Sequence, residues 1–451
     1  RGEQLEKHEI LKANLLEVFN DIEQEDEKVQ CTELFHQIWE ACANMEKYVQ
    51  YGFSIQSRDS IFGQNNWNTF NHNSFDDLKF ILRESNISTS QNFRERTIED
   101  IIYGNTVQNE TSKKEESPDR FTSVINFPNF LIHILRIQTK QDIPLDDKQL
   151  LKVFSNHLDK LESTETRIKF VKDFGFHLLR SKFLFDKYII KREFIGGVDK
   201  WSLKRLKWYK DNRVSYVNSF GEAEPIEDEL NENRKALMLL AMFHVSIPTM
   251  LYKHWVNAAL FYLFYEKDIH VQGFINHLEL TVKKFVYDRF LALEPFEYFN
   301  MIFENTKVQN NNWDAQIDEN KLTYGNIVNN LVFNYLDYLL WNQEVSSDSK
   351  VRKFEFTSRS SVEHYYPQNP MDGFEKLDAI PLNCFGNLCL ISHHKNSRLN
   401  NFMPSGKKEF YQKHMDSIKQ YVMMKVEGKD WNKTAILRHN SEMIELLKTA
   451  F

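Results

Sequence analysis

The sequence is short of cysteine, glycine and proline, and each shortage excludes something. Four cysteines (Cys31, Cys42, Cys384, Cys389) in 451 residues cannot staple a fold of this size, so a disulfide scaffold is excluded and a reducing, cytoplasmic setting fits. Cys384 and Cys389 make one C-x4-C spacing with no second pair, so zinc is not expected and both read as small apolar fillers. Fourteen Gly and ten Pro are too few for a turn-rich β architecture and favour helices. Long apolar runs are lacking too. The stretch 236–252 is uncharged, but His244, Ser246 and Pro248 interrupt it, which makes it buried core and not a membrane span. No internal repeat is visible. Arg1 is an unusual first residue, so a further segment is expected upstream.

What is present is apolar material for sizeable cores. Hydrophobic residues make up 41% and charged residues 27%, with 36 Phe, and the length suits two or three globular domains. The net charge of −7 does not by itself point to nucleic acid, but its distribution does. Residues 351–451 carry 15 Lys and Arg against 11 Asp and Glu, whereas the first 350 carry 42 against 53. A basic C-terminal module on an acidic body steers a polyanion to one face.

Along the chain, Leu5, Ile10, Leu11, Leu15 and Phe19 have near-helical spacing, and 31–49 predicts a second helix. Ser74 and Asp77 resemble a capping box ahead of Leu78. Residues 86–118 are polar and read as a linker or mobile loop. Helical character returns from 121, with Phe127-Pro128 as a helix entry or kink. The stretch 180–213 holds 11 Lys and Arg, with Trp201, Trp208 and Tyr209 interleaved. The seven-residue spacing of the tryptophans places them on one helix face, with Lys204, Arg205, Lys207 and Trp208 as candidate DNA contacts. The competing arrangement packs the tryptophans inward and leaves the lysines solvated. The acidic run 222–232 reads as a solvated loop. Long buried helices are expected over 236–265, 275–296 and 325–341, then polar connectors at 305–320 and 343–350, and helix again from 406.

The chemistry concentrates between 361 and 408. Glu363 and His364 are adjacent, Gly386-Asn387-Leu388 makes a tight turn, Asn396 follows, and Lys395, Arg398, Lys407 and Lys408 crowd behind. Phosphodiester hydrolysis with one metal ion needs a base for water, oxygen ligands for a hard cation and positive charge for phosphate. All three residue types lie within this stretch.

The order and spacing of Glu363, His364, Pro367 and Gln368, then Gly386, Asn387, Leu388 and Leu390, then Asn396, Ser397, Asn401 and Lys407 resemble an HNH (ββα-metal) nuclease. More narrowly they resemble the C-terminal domain of the GmrSD-type, modification-dependent restriction family. Arg1-Gly2, Leu5 and Lys12-Ala13 are similar to the point where that family's ParB/sulfiredoxin-like N-terminal domain gives way to helices, and the family's nucleotide-handling motif lies upstream of it.

The resemblance implies that His364 is the general base, that Glu363 and Asn396 hold one Mg²⁺ or Mn²⁺, that Asn387 fixes the loop aiming His364, and that Lys407 contacts phosphate. His393 and His394 are alternative metal ligands, and Lys395, Arg398 and Lys408 further DNA contacts. Any nucleotide would be used by the upstream domain. The implied fold is mainly α, a helical body with a C-terminal ββα-metal module embedded in helices. Residues 1–85 would continue the N-terminal domain, 86–118 form the linker, 119–350 a helical middle domain and 351–451 the nuclease. The implied activity is endonucleolytic cleavage or nicking of modified or phage DNA in the cytoplasm, with no membrane partner and with homo-oligomerisation left open. The rival readings are a DNA-binding regulator with an inactive HNH fold, and a helical interaction scaffold.

Overall fold

In a computed structural model the chain is mainly α-helical, with three small antiparallel sheets among the described residues. Those residues are 6–82, 120–209, 213–221, 230–392, 402–411, 415–426 and 431–451. The expected linker at 86–118 and most of the acidic run lie outside them. The chain divides into two compact units, one of residues 1–225 with 260–266, the other of 226–259 with 267–451. No helix among the described residues is long and apolar enough to cross a membrane.

In the first unit the helices Glu25–Ala43 and Thr164–Tyr188 pack together, with Cys42 Sγ 3.9 Å from the Leu178 carbonyl and the buried Phe35 ring set against Gly175. Gly175 permits this approach, since a Cβ there would stand 2.9 Å from the Phe35 ring and 3.0 Å from that of Phe75. Helix starts follow local chemistry. Ser163 and Thr166 form a reciprocal capping box, and Asn126 caps Phe127–Thr139, where Pro128 costs no hydrogen bond in the first turn. At 74–77, Ser74 accepts from the Asp77 N–H at 3.1 Å. The Asp77 carboxylate returns to Asn73 and not to Ser74, so the box is displaced by one residue.

The basic stretch after 188 corrects an expectation: Trp201 and Trp208 share no helix. The helix stops at Tyr188, and the chain becomes β2 (Lys191–Ile195), β3 (Val198–Ser202), β4 (Lys204–Tyr209) and β5 (Arg213–Asn218), with β1 (Phe121–Ser123) beside β2. Gly196 and Gly197, at φ +59° and +82°, close the β2–β3 hairpin, a conformation open to glycine at little cost. Trp201 therefore lies on β3 and Trp208 on β4. The four candidate DNA contacts here are largely engaged within the fold. Lys204 donates to Glu193 at 2.7 Å, Arg205 is buried, Lys207 lies over the Tyr209 ring, and Trp208 stacks on Trp67 with centroids 5.1 Å apart.

The second unit is built on helices Glu232–Ser246, Val271–Lys283, Leu331–Glu344 and Lys433–Ala450. The helix expected over 236–265 is broken. Pro248 offers no N–H and disfavours helical geometry at Ile247, so Glu232–Ser246 ends and His254–Tyr265 starts anew. Val271–Lys283 runs on as a wider turn, Lys284–Phe290, whose buried Asp288 accepts from the Gln309 and Asn310 N–H groups and ties down the polar connector. The helix expected from 325 begins at Leu331. After it comes the hairpin of β6 (Ser361–His364) and β7 (Leu388–Ile391), followed by helices Pro404–Tyr411, Ile418–Lys425 and Lys433–Ala450.

Candidate active site

The site is a two-stranded hairpin with its loops stitched together. β6 pairs antiparallel with β7, setting Glu363 opposite Cys389 and His364 opposite Leu388. β7 is apolar on both faces and fully buried, so it anchors the pair in the core while β6 carries the polar residues. Beyond His364 the Tyr365 N–H donates to the Asn387 carbonyl at 2.8 Å.

Asn387 has no exposed surface, so its amide must be satisfied inside the protein. Its Oδ1 accepts from the Tyr366 N–H at 2.8 Å and from Trp431 Nε1–H at 3.3 Å. Its Nδ2 donates to the Tyr366 carbonyl at 3.0 Å and the Leu382 carbonyl at 2.9 Å. One side chain thereby fastens the segment after β6 to the segment before β7. Gly386, alongside, donates its N–H to Asn440 Oδ1 at 2.9 Å. A Cβ there would lie 2.6 Å from the Asn440 nitrogen and closer still to the Ile436 carbonyl, both backbone atoms of the last helix. Gly386→Ala is therefore expected to force that helix off the hairpin and to destabilise the protein by about 1–3 kcal/mol. Thermal unfolding checks this, and an unchanged melting temperature would contradict it.

His364 is buried, with Nε2 3.0 Å from Asn383 Oδ1 and its ring against Tyr324, centroids 4.2 Å apart. Burial pushes its pKa below the ordinary imidazole value; the Asn383 hydrogen bond acts the other way and Lys407 adds to the lowering. The ring is thus neutral at neutral pH and able to accept a proton.

Glu363 turns elsewhere. Neighbouring residues on a strand face opposite sides. Its carboxylate meets Lys407 on the helix Pro404–Tyr411, with Lys407 Nζ 2.5 Å from Glu363 Oε1 and 2.6 Å from the His364 carbonyl. Burial raises the Glu363 pKa despite that ammonium. The structure thus joins Lys407 to Glu363 and Asn383 to His364, and no hydrogen bond links the Glu363 and His364 side chains. Lys407, anticipated as a phosphate contact, is buried with its ammonium turned to Glu363 and the strand end. Lys408 on the same helix is half-buried. Asn396, His393, His394, Lys395 and Arg398 lie outside the described residues.

Among the described residues no group of three or more His, Cys, Asp or Glu side chains gathers around a point. The donor chemistry nonetheless suits a hard divalent cation: Glu363 is a carboxylate whose Oε2 receives no hydrogen bond from a described residue. Asn383, Tyr324, Asn440 and Trp431 escaped the sequence reading. Asn383 had a local signal, standing three residues before Gly386 at the end of the short helix Ala379–Asn383, whereas Tyr324 is remote in sequence.

No curated protein and no solved structure matches the chain. Residues 310–446, which contain the hairpin, His364, Asn383, Asn387 and Lys407, match the family model for the C-terminal domain of GmrSD restriction endonucleases, so the chain carries that restriction-endonuclease domain, whose partner is DNA.

Proposed function

We propose that the hairpin and its surrounding helices, residues 351–451, form an HNH nuclease module that hydrolyses phosphodiester bonds of foreign, and specifically modified, DNA in the cytoplasm. The observation that supports this reading most is the His364 imidazole. It is neutral, gripped at one nitrogen and one face, and sits at the end of a hairpin stitched by Asn387.

With Nε2–H donating to Asn383 Oδ1, Nδ1 keeps a lone pair and takes a proton from water. The water oxygen attacks phosphorus, the bond to the 3′ oxygen breaks, that oxygen takes up a proton from solvent, and 5′-phosphate and 3′-hydroxyl ends remain. Glu363 and Asn396, with His393 or His394 as the alternative to Asn396, would hold Mg²⁺ or Mn²⁺, which when bound supplies positive charge for the phosphate. Lys395, Arg398 and Lys408 would contact the DNA backbone. The Lys407 ammonium on Glu363 favours a second reading, an HNH fold that binds DNA without cutting it.

A plasmid assay on modified and unmodified supercoiled DNA, with Mg²⁺ or with a chelator, tests the pair. Nicking of modified DNA that needs the metal is expected. Binding that is salt-sensitive, metal-independent and never followed by a nick would put the second reading in its place.

A further inference from the structure

We propose that Asn383, with Tyr324, is a positioning residue that fixes the tautomer and plane of His364, keeping the proton on Nε2 and presenting Nδ1 as the proton acceptor. The proposal rests on the nuclease reading and names residues that the sequence motif does not contain.

Asn383 holds both partners of the arrangement. Its side-chain oxygen lies 3.0 Å from His364 Nε2, and its backbone carbonyl accepts the Tyr324 N–H at 2.9 Å. The Tyr324 ring then closes one face of the imidazole, inclined at 54° to it. An amide oxygen only accepts, so the nitrogen facing it must carry the hydrogen; the other tautomer would set lone pair against lone pair. In a buried site that mismatch is costly, because an unpaired polar group there keeps its desolvation penalty. His364 is 5% exposed, which makes the discrimination effective.

Asn383 is itself held in register with the loop stitch. Asn387 Nδ2 donates to the carbonyl of Leu382, the residue immediately before it. The His364 backbone is fixed separately, by its pairing with Leu388 and by Lys407 Nζ on its carbonyl. The ring is therefore constrained at its backbone, at one nitrogen and at one face, while the second nitrogen receives no hydrogen bond from a described residue. Such a constraint puts the reacting lone pair in one place before substrate arrives.

The test uses the full chain with ¹⁵N-labelled histidine, metal-free, at a pH where the ring is neutral. Long-range ¹H–¹⁵N spectra report which nitrogen carries the proton, and His364→Ala assigns the signal. Wild-type His364 is expected to be protonated at Nε2. Asn383→Leu is expected to give mixed tautomers and to lower kcat by up to about 100-fold with KM for DNA little changed. Asn383→Asp, which restores an acceptor oxygen, should return the Nε2–H form, and it serves also if the leucine variant does not fold. A wild-type proton on Nδ1 overturns the proposal, as does an Asn383→Leu protein that keeps either the wild-type tautomer or the wild-type kcat. The nuclease reading fails separately, if His364→Ala cleaves as well as wild type, and the tautomer measurement does not depend on that result.

Discussion

His364→Ala is expected to lower strand cleavage by about 10²–10⁴-fold, the range over which a positioned general base acts, while DNA affinity stays near the wild-type value. The separation follows from where the residue sits. Its ring is buried against Tyr324 and Asn383, so it offers little surface to a phosphate backbone. Truncation leaves Asn383 Oδ1 without its partner, at a cost of about 1–3 kcal/mol. Unfolding curves for both proteins must therefore accompany the assay, so that lost cleavage is not lost fold. The pH profile gives a second reading of the same group. Burial lowers the His364 pKa below the ordinary imidazole value of about 6.5, and only the neutral ring accepts a proton. Cleavage should be level through neutral pH and decline only as the medium is acidified below that value. A rate that still climbs well above pH 7, or an alanine variant that cuts normally with intact fold, would remove His364 from the chemistry.

How far the fold could be read from the chain depended on whether local signals and tertiary packing agreed. At Asn126-Phe127-Pro128 and Ser163–Thr166 the capping residues and the apolar period point the same way, and the helices stand where they point. Over 191–218 they do not. A spacing of seven between tryptophans suits a helix, but Gly196-Gly197 and the strand-forming residues of β4 and β5 suit hairpins, and the hairpins prevail because they let Leu203, Leu206 and Val217 reach the core. Charge is visible in a sequence and burial is not, so Arg205 and Lys204 read as DNA contacts although one is buried and the other is bonded to Glu193. At the candidate site the motif residues Glu363, His364, Gly386 and Asn387 were legible because their types and order are chemically demanding. Gly386 is required by the close approach of a helix backbone, and Asn387 by buried carbonyls and N–H groups that only an amide can serve together. Asn383 and Tyr324 were not legible. An asparagine closing a five-residue helix has many ordinary explanations, and Tyr324 reaches His364 only through the folded chain.

Lys407→Met is expected to destabilise the protein by about 3–5 kcal/mol, the usual consequence of removing one member of a buried ion pair and stranding the other. The lysine side chain is 1% exposed and the Glu363 side chain 8%, so water can replace little of what is lost. Two acceptors lose their donor at once, the Glu363 carboxylate and the His364 carbonyl, and the second belongs to the residue proposed as base. The double variant Lys407→Met with Glu363→Gln removes the stranded charge, and it should recover part of the loss. A coupling energy of about 0.5–3 kcal/mol between the two sites is expected from urea unfolding of the wild type, both single variants and the double. The same four proteins separate the two roles open to Lys407. If it served chiefly to contact phosphate, its loss would weaken DNA binding and flatten the salt dependence while leaving stability alone. If it props the strand end, stability and cleavage fall together and the salt dependence of binding is unchanged. Its position beneath the hairpin favours the second outcome, because an ammonium with two buried oxygens within 2.6 Å would have to give up both to reach a phosphate.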